Sequence, residues 1–333
     1  MTTSRNMIRK KNLDILKRYI YKEKSALKAD MAVHTGLSVV TINSLVQELV
    51  SSSIITTGSS YQQSLGRPAL SYDFNYDHSF FLLMSIQERI TNGNRNLIIV
   101  GQIVNLNQQI KYERIFDFSK LTIDFFVSKI FHFLNLDFSI SKIGVSLPGK
   151  VYKDTVLSSW NDVFNYWTFG EEISKITNIP FSIQNDAHLL TVGYTVLNHS
   201  AEIKTVVGIY YPENSMPGIT IYSNGALFEG GRNLAGEAKL LPNLINCTPP
   251  INNDEMIVKL IEILEIYNAV ISPDAFILST NSLSKSALYK SVDNSEILSK
   301  QLNHPEILFV EDFQHSLTTG LFWLVTKDTP FYL

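Results

Sequence analysis

A chain of 333 residues with 45% apolar side chains and a net charge of −3 can bury two or three cores, which excludes a disordered or fibrous protein. No apolar run reaches about 18 residues, and the N-terminus, charged from Arg5 onward, has no apolar signal core; no membrane partner is expected, and cytoplasmic residence is. The single cysteine, Cys247, excludes an internal disulfide. Charge is unevenly placed: residues 1–70 hold ten Lys and Arg against four Asp and Glu, a balance of +6, and the remainder carries −9. A basic head on an acidic body is the asymmetry expected when the head alone meets phosphate.

Residues 6 to 23 predict a first helix, with Leu13, Leu16, Tyr19 and Ile20 on one face and Lys17, Arg18, Lys22 and Lys24 mostly off it. Those cations suit either backbone phosphates or a solvated face. Lys28 to Leu49 predicts two short amphipathic helices meeting at a turn on Gly36, a residue that takes positive φ without a Cβ penalty. Ser38 stands where an N-cap belongs. In the second helix Ile42, Leu45, Val46 and Leu49 form an i, i+3, i+4, i+7 stripe, leaving Val39, Val40, Thr41, Asn43, Ser44 and Gln47 to face outward. Side chains of this size and kind can approach base edges in a major groove. Strands at 54–58 and 65–70 around a polar tip predict a β-hairpin wing that presents Arg67, and residues 71 to 79 read as a polar link. The pattern is a winged helix-turn-helix over residues 1–74, with Ser38, Val39, Val40, Thr41, Asn43, Ser44, Gln47 and Arg67 as candidate contacts to double-stranded operator DNA.

Three consecutive strands follow at 80–86, 96–104 and 109–115, then a helix at 121–136 and a strand at 141–147 that ends in Pro148-Gly149. A helix at 173–179 and a strand at 180–184 lead to Asn185-Asp186-Ala187, and a helix at about 187–198 precedes strands at 205–211 and 218–222. Helix 252–268, strand 275–278, helix 284–300, strand 307–310 and helix 314–326 complete the chain. Strands giving way to alternating helices and strands, roughly twice over, predict two similar α/β lobes, at about 75–185 and 186–333, with a cleft between them.

Several stretches together resemble the ROK family of bacterial repressors and sugar kinases, in its branch with an N-terminal winged helix. The matching residues are Thr35-Gly36-Leu37-Ser38, Gly66-Arg67-Pro68-Ala69, Gly144-Val145-Ser146-Leu147-Pro148-Gly149, Asn185-Asp186-Ala187 and Glu229 to Glu237, with a weaker match at Ser272 to Leu278. The resemblance implies an actin-like ATPase (ribonuclease H-like) fold for residues 75–333, closing on a sugar. It also implies sugar contacts at Asn185, Asp186 and Glu237, where family kinases use the Asp as base. Carboxylates and an amide in a cleft suit a ring of hydroxyls.

The departures from the family pattern are specific. The first phosphate turn of family kinases is glycine-rich; here it reads Ser85-Ile86-Gln87-Glu88-Arg89-Ile90. The second reads Pro212 to Gly218 without the glycine repeat, so backbone amides have no room to cradle phosphate. The family's zinc histidine is replaced at Lys239-Leu240, and its cysteine loop has shrunk to Asn246-Cys247-Thr248-Pro249-Pro250, which cannot supply four ligands. No metal, cofactor or catalytic residue is expected, and His188 and the other histidines read as surface or packing residues. The expectation is a homodimeric transcriptional regulator of carbohydrate genes, repressing them and answering a carbohydrate or sugar phosphate. The rivals are an active sugar kinase and a regulator that answers to a protein partner.

Overall fold

The computed structural model describes residues 2–61, 69–91, 94–198, 203–213, 215–250, 252–280 and 283–332. The chain opens with α1 (Thr2–Glu23), β1 (Ser25–Leu27), α2 (Lys28–Thr35), α3 (Val39–Ser51), β2 (Ile55–Tyr61) and β3 (Ala69–Phe74). The three strands form an antiparallel sheet in the order β1-β3-β2. The helix stripe read from the sequence is the core: Ile42, Leu45, Val46 and Leu49 are buried against Leu16, Ile20, Met31, Ile55 and Tyr72. Each such side chain contributes about 2 kcal/mol of apolar burial. The result is a winged helix.

Two readings of this region need correction. Among the described residues the return strand is Ala69–Phe74, which runs past the expected end at 70, and Ser71, Tyr72 and Phe74 of the expected polar link are buried. The reason is β1, a three-residue strand too short to leave a periodic signal, which makes β3 the central strand of the sheet, hydrogen-bonded along both edges. The wing tip with Arg67 lies outside the described residues.

The body begins with β4 (Phe80–Thr91), β5 (Asn94–Asn105) and β6 (Ile110–Asp117), an antiparallel meander. Next come α4 (Ile123–Leu134), β7 (Ile140–Leu147), a small hairpin β8 (Gly149–Tyr152) and β9 (Thr155–Ser159), α5 (Phe169–Ser174), β10 (Phe181–Asn185) and α6 (Asp186–Leu197). The second half comprises β11 (Thr205–Tyr210), β12 (Gly218–Ser223), β13 (Ala226–Leu227), α7 (Asn253–Ile271), β14 (Ala275–Ser279), α8 (Lys285–Asp293), β15 (Glu306–Phe309) and α9 (Phe313–Thr326). The expected helix at 173–179 sits earlier, as α5, because Phe169 and Ile173 are its buried residues. The helix expected over 284–300 stops at Asp293 and continues as an isolated turn.

Both large sheets have five strands, ordered β10-β7-β4-β5-β6 and β13-β12-β11-β14-β15. Counted within its own half, each runs 3-2-1-4-5, three antiparallel strands followed by two parallel ones. This is the two-lobed actin-like architecture. Between the sheets lie two helices: α9 packs on β4, β7 and β10, α6 packs on β11 and β12, and the two pack on each other. They approach so closely because glycines face the contact. A Cβ on Gly193 would lie 1.7 Å from the Ser316 carbonyl oxygen, and one on Gly320 would lie 2.0 Å from that of Leu189.

Beyond α9 the chain reaches the winged helix. The Phe331 ring packs edge-on or tilted against Tyr21 of α1, Phe74 of β3 and His78, with centroids 5.4, 5.5 and 5.8 Å apart. The Tyr21 hydroxyl donates to the Leu106 carbonyl at 3.1 Å, and the Tyr76 hydroxyl donates to the Tyr21 carbonyl at 3.1 Å. The Arg18 guanidinium stacks 3.8 Å over the Tyr332 ring. Among the described residues, no helix is long and apolar enough to cross a membrane.

Candidate functional site

Two surfaces hold the candidate residues. On the winged helix, Gly36 ends α2 with φ of 67°, and its N–H donates to the Ala32 carbonyl. That left-handed turn sets α3 across α2. Ser38 caps α3: its hydroxyl accepts from the Thr41 N–H at 3.2 Å and lies 3.0 Å from the Thr41 hydroxyl. Thr41 is thereby half-buried and occupied with the cap, while Val39 and Val40 stand 62% and 80% exposed. Asn43, Ser44 and Gln47 are exposed as well, and none of the three has a side-chain hydrogen-bond partner among the described residues. The only charged residue in α3, Glu48, is paired with Arg9 of α1 at 2.5 Å, so its carboxylate is neutralised beside the outward face. A convex helix face of free amides, a hydroxyl and small apolar groups, on a module of charge +6, suits a major groove.

The second surface is a cleft of about 720 Å³ between the lobes, lined by residues that include Asn185, Asp186 and Glu237. The end of β10 and the start of α6 place the first two. Asn185 caps α6 by accepting the His188 N–H at 3.3 Å, and its amide donates to the Gly149 carbonyl at 3.0 Å. Asp186 follows at the first helical position, where the Ala187 N–H donates to its carboxylate at 2.8 Å. Burial outweighs that bond and the nearby Lys150 charge, and pushes the Asp186 carboxyl up to about 7.

Sequence reasoning missed what supports these residues. Lys150, almost wholly buried, donates to the Ala235 carbonyl at 2.8 Å and meets His188 Nε2 at 2.9 Å. Gln184 Oε1 accepts the Asn185 N–H at 2.8 Å, and Gln184 Nε2 donates to Glu229 at 2.8 Å, which fixes the amide's orientation. His188 Nδ1 therefore donates to Gln184 Oε1 at 3.0 Å, leaving Nε2 to accept from the ammonium. Burial and the Lys150 charge hold His188 far below its ordinary value, at about 3, so the ring is neutral. Burial lowers Lys150 too, against the pull of Glu237, Asp186 and Glu229. Reading His188 as a surface or packing residue is corrected here: it is a buried link in a polar chain from Glu229 to Lys150. Glu237 lies 3.9 Å from Lys150 and 3.7 Å from Lys239, whose ammonium donates to Ser158 at 2.6 Å. The signal available in the sequence was Lys150 itself, a cation directly after the Pro148-Gly149 turn.

At the other end of the cleft the lobes are tied together. Arg95 of β5 pairs with Glu88 of β4 at 3.2 Å and with Glu213, beyond β11, at 2.6 Å. Gln87 and Gln314 exchange amide hydrogen bonds across the same gap, at 2.5 and 3.3 Å. Glu88 pairs with Arg95 inside the first lobe, and Arg95 makes the ion pair that crosses to Glu213. Among the described residues there is no cluster of three or more His, Cys, Asp or Glu that could hold a metal ion.

Comparison with known proteins fits this geometry. Residues 97–239 match the ROK family. The xylose repressor of Bacillus subtilis is 25% identical over 239 residues, 69% of this chain and 60% of the repressor. That of Bacillus spizizenii is 23% identical over the same share. The chain thus matches about three-fifths of the length of these curated relatives. Among solved structures, a ROK family transcriptional regulator homologous to the E. coli MLC protein superposes with a TM-score of 0.67 at 16% identity, covering 93% of this chain and 94% of its own. A ROK family glucokinase from Streptomyces griseus, in complex with glucose and AMPPNP, superposes at 0.56 with 14% identity over 73% of this chain and 99% of its own. The stretch that matches the ROK family, residues 97–239, thus follows a winged helix in the chain.

Proposed function

We propose that this chain is a transcriptional regulator that represses carbohydrate-metabolism genes. Its winged helix, residues 1–74, grips double-stranded operator DNA through Ser38, Val39, Val40, Thr41, Asn43, Ser44, Gln47 and Arg67. Its two-lobed body, residues 75–333, takes a sugar-like effector at Asn185, Asp186 and Glu237 and transfers no phosphate. It acts in the cytoplasm as a homodimer, whose two heads read half-sites separated by whole helical turns. The carrying observation is the outward face of α3, where Asn43, Ser44 and Gln47 have no side-chain partner among the described residues, on a module of charge +6; the cleft of the body is spanned at one end by Arg95, Glu88 and Glu213. The relatives named xylose repressor support the same reading.

The test is fluorescence anisotropy of the full chain on duplexes from the promoter region beside its gene, with and without monosaccharides and their phosphates. Saturable, salt-sensitive binding that a sugar weakens is expected. Binding no tighter than to a scrambled duplex overturns the DNA reading. Formation of a sugar phosphate from ATP overturns the loss of kinase chemistry. A second reading, a body that answers a protein partner, is favoured by one observation: two lysines already flank Glu237, where a sugar hydroxyl would have to compete with them. Calorimetric silence toward the whole sugar panel supports it.

A further inference from the structure

The outward face of α3 has a chemical bias that goes beyond binding DNA. It carries neither Arg nor Lys, the side chains that read guanine by a paired contact to O6 and N7. Its longer polar groups are the amides of Asn43 and Gln47, which suit the N6 and N7 edge of adenine. Val39 and Val40, at 62% and 80% exposure, cover no core residue, and β-branched side chains are poor choices for an exposed helix turn. A merely solvated face needs neither. Val40, Asn43 and Gln47 stand at i, i+3 and i+7, so they form one ridge about 10 Å long, enough to span roughly three base pairs. The module is cationic: Arg9 of α1 holds the one carboxylate of α3, and its sequence neighbours Lys10 and Lys11 are exposed. The neighbourhood therefore fits a polyanion, while the ridge itself fits the methyl-bearing edge of A·T pairs.

We infer that α3 is selective for A·T pairs, with Val39 and Val40 packing on thymine methyl groups while Asn43 and Gln47 bond adenine edges. This rests on the DNA-binding reading above. Val39 and Val40 are the specificity-determining pair, because a methyl contact is available only where thymine stands.

The experiment selects duplexes from a random library with the full-length protein, then replaces each thymine of the selected site with deoxyuridine, which removes the methyl and nothing else. A selected core of A·T pairs is expected, with binding about 4-fold weaker for each contacted methyl removed. In the V39A/V40A variant, whose helix propensity is if anything improved, that penalty is expected to vanish while salt dependence stays. A G·C-rich core, or indifference to deoxyuridine in the native protein, overturns the inference and leaves DNA binding standing. Recovery of no sequence above background overturns both.

Discussion

The contact between α6 and α9 gives the sharpest stability prediction, because two opposing terms can be weighed. Gly193→Ala gains about 1 kcal/mol from helix propensity in α6. Against this, the new Cβ would lie 1.7 Å from the Ser316 carbonyl oxygen and 2.7 Å from the Gly320 nitrogen. Both are backbone atoms of α9, which cannot swing aside as a side chain can. The helices must part by more than about 1 Å, and overpacking of this kind costs about 1–3 kcal/mol, at the upper end where the backbone is the obstacle. The clash wins, and a net loss of about 2 kcal/mol is expected, a drop in Tm on the order of 4–8 °C. Scanning calorimetry measures it, with Gly231→Ala as control, since a Cβ there meets nothing within 4 Å. A Gly193→Ala protein that melts at or above the native temperature refutes the close helix contact.

Two more outcomes follow from the cleft and from the joint under the winged helix. Asp186 has its folded value raised to about 7, so the fold holds a proton that the unfolded chain gives up, and its contribution to stability falls as pH rises from about 4 to 7. Asp186→Asn is therefore expected to match the native protein at pH 4 and exceed it by about 2 kcal/mol at pH 8, after allowance for solvent in the open cleft. Urea denaturation across that range reads the difference, which cancels the opposite slope of neutral His188; a gap that does not change with pH defeats the assignment. Phe331→Ala removes a ring packed on Tyr21, Phe74 and His78 and is expected to cost about 3 kcal/mol. Hydrogen exchange should then quicken in β3 and at the end of α1, and unchanged protection there counts against the joint.

The helices and most strands were legible because their burial patterns are periodic: the α3 stripe and the β4 to β6 meander could be read directly from apolar spacing. What escaped was structure made by partners distant in sequence. β1 is three residues long and acquires meaning only beside β3, which is why the stretch after Ala69 read as a link. The hairpin of β8 and β9 is likewise short, with a register shift between Lys150 and Val151. In the cleft, Asn185, Asp186 and Glu237 came from motif resemblance. Their supports, Lys150, His188 and Gln184, are separated by up to 38 positions and become a chain of donors only when β8 and α6 meet.

Helix α9 touches the cleft with Phe313, Gln314 and Leu317, and thirteen residues past its first side chain, near its end, the polypeptide turns toward Phe331 beneath the winged helix. At 14 residues it is a rod of about 21 Å, too stiff to absorb a displacement along its axis. Whatever seats itself between the lobes and whatever grips the amino-terminal module thus pull on opposite ends of one rigid part. For the regulator proposed above, thermodynamic linkage makes that tug reciprocal: the factor by which an occupied cleft alters the hold on a duplex is the factor by which a held duplex alters the cleft.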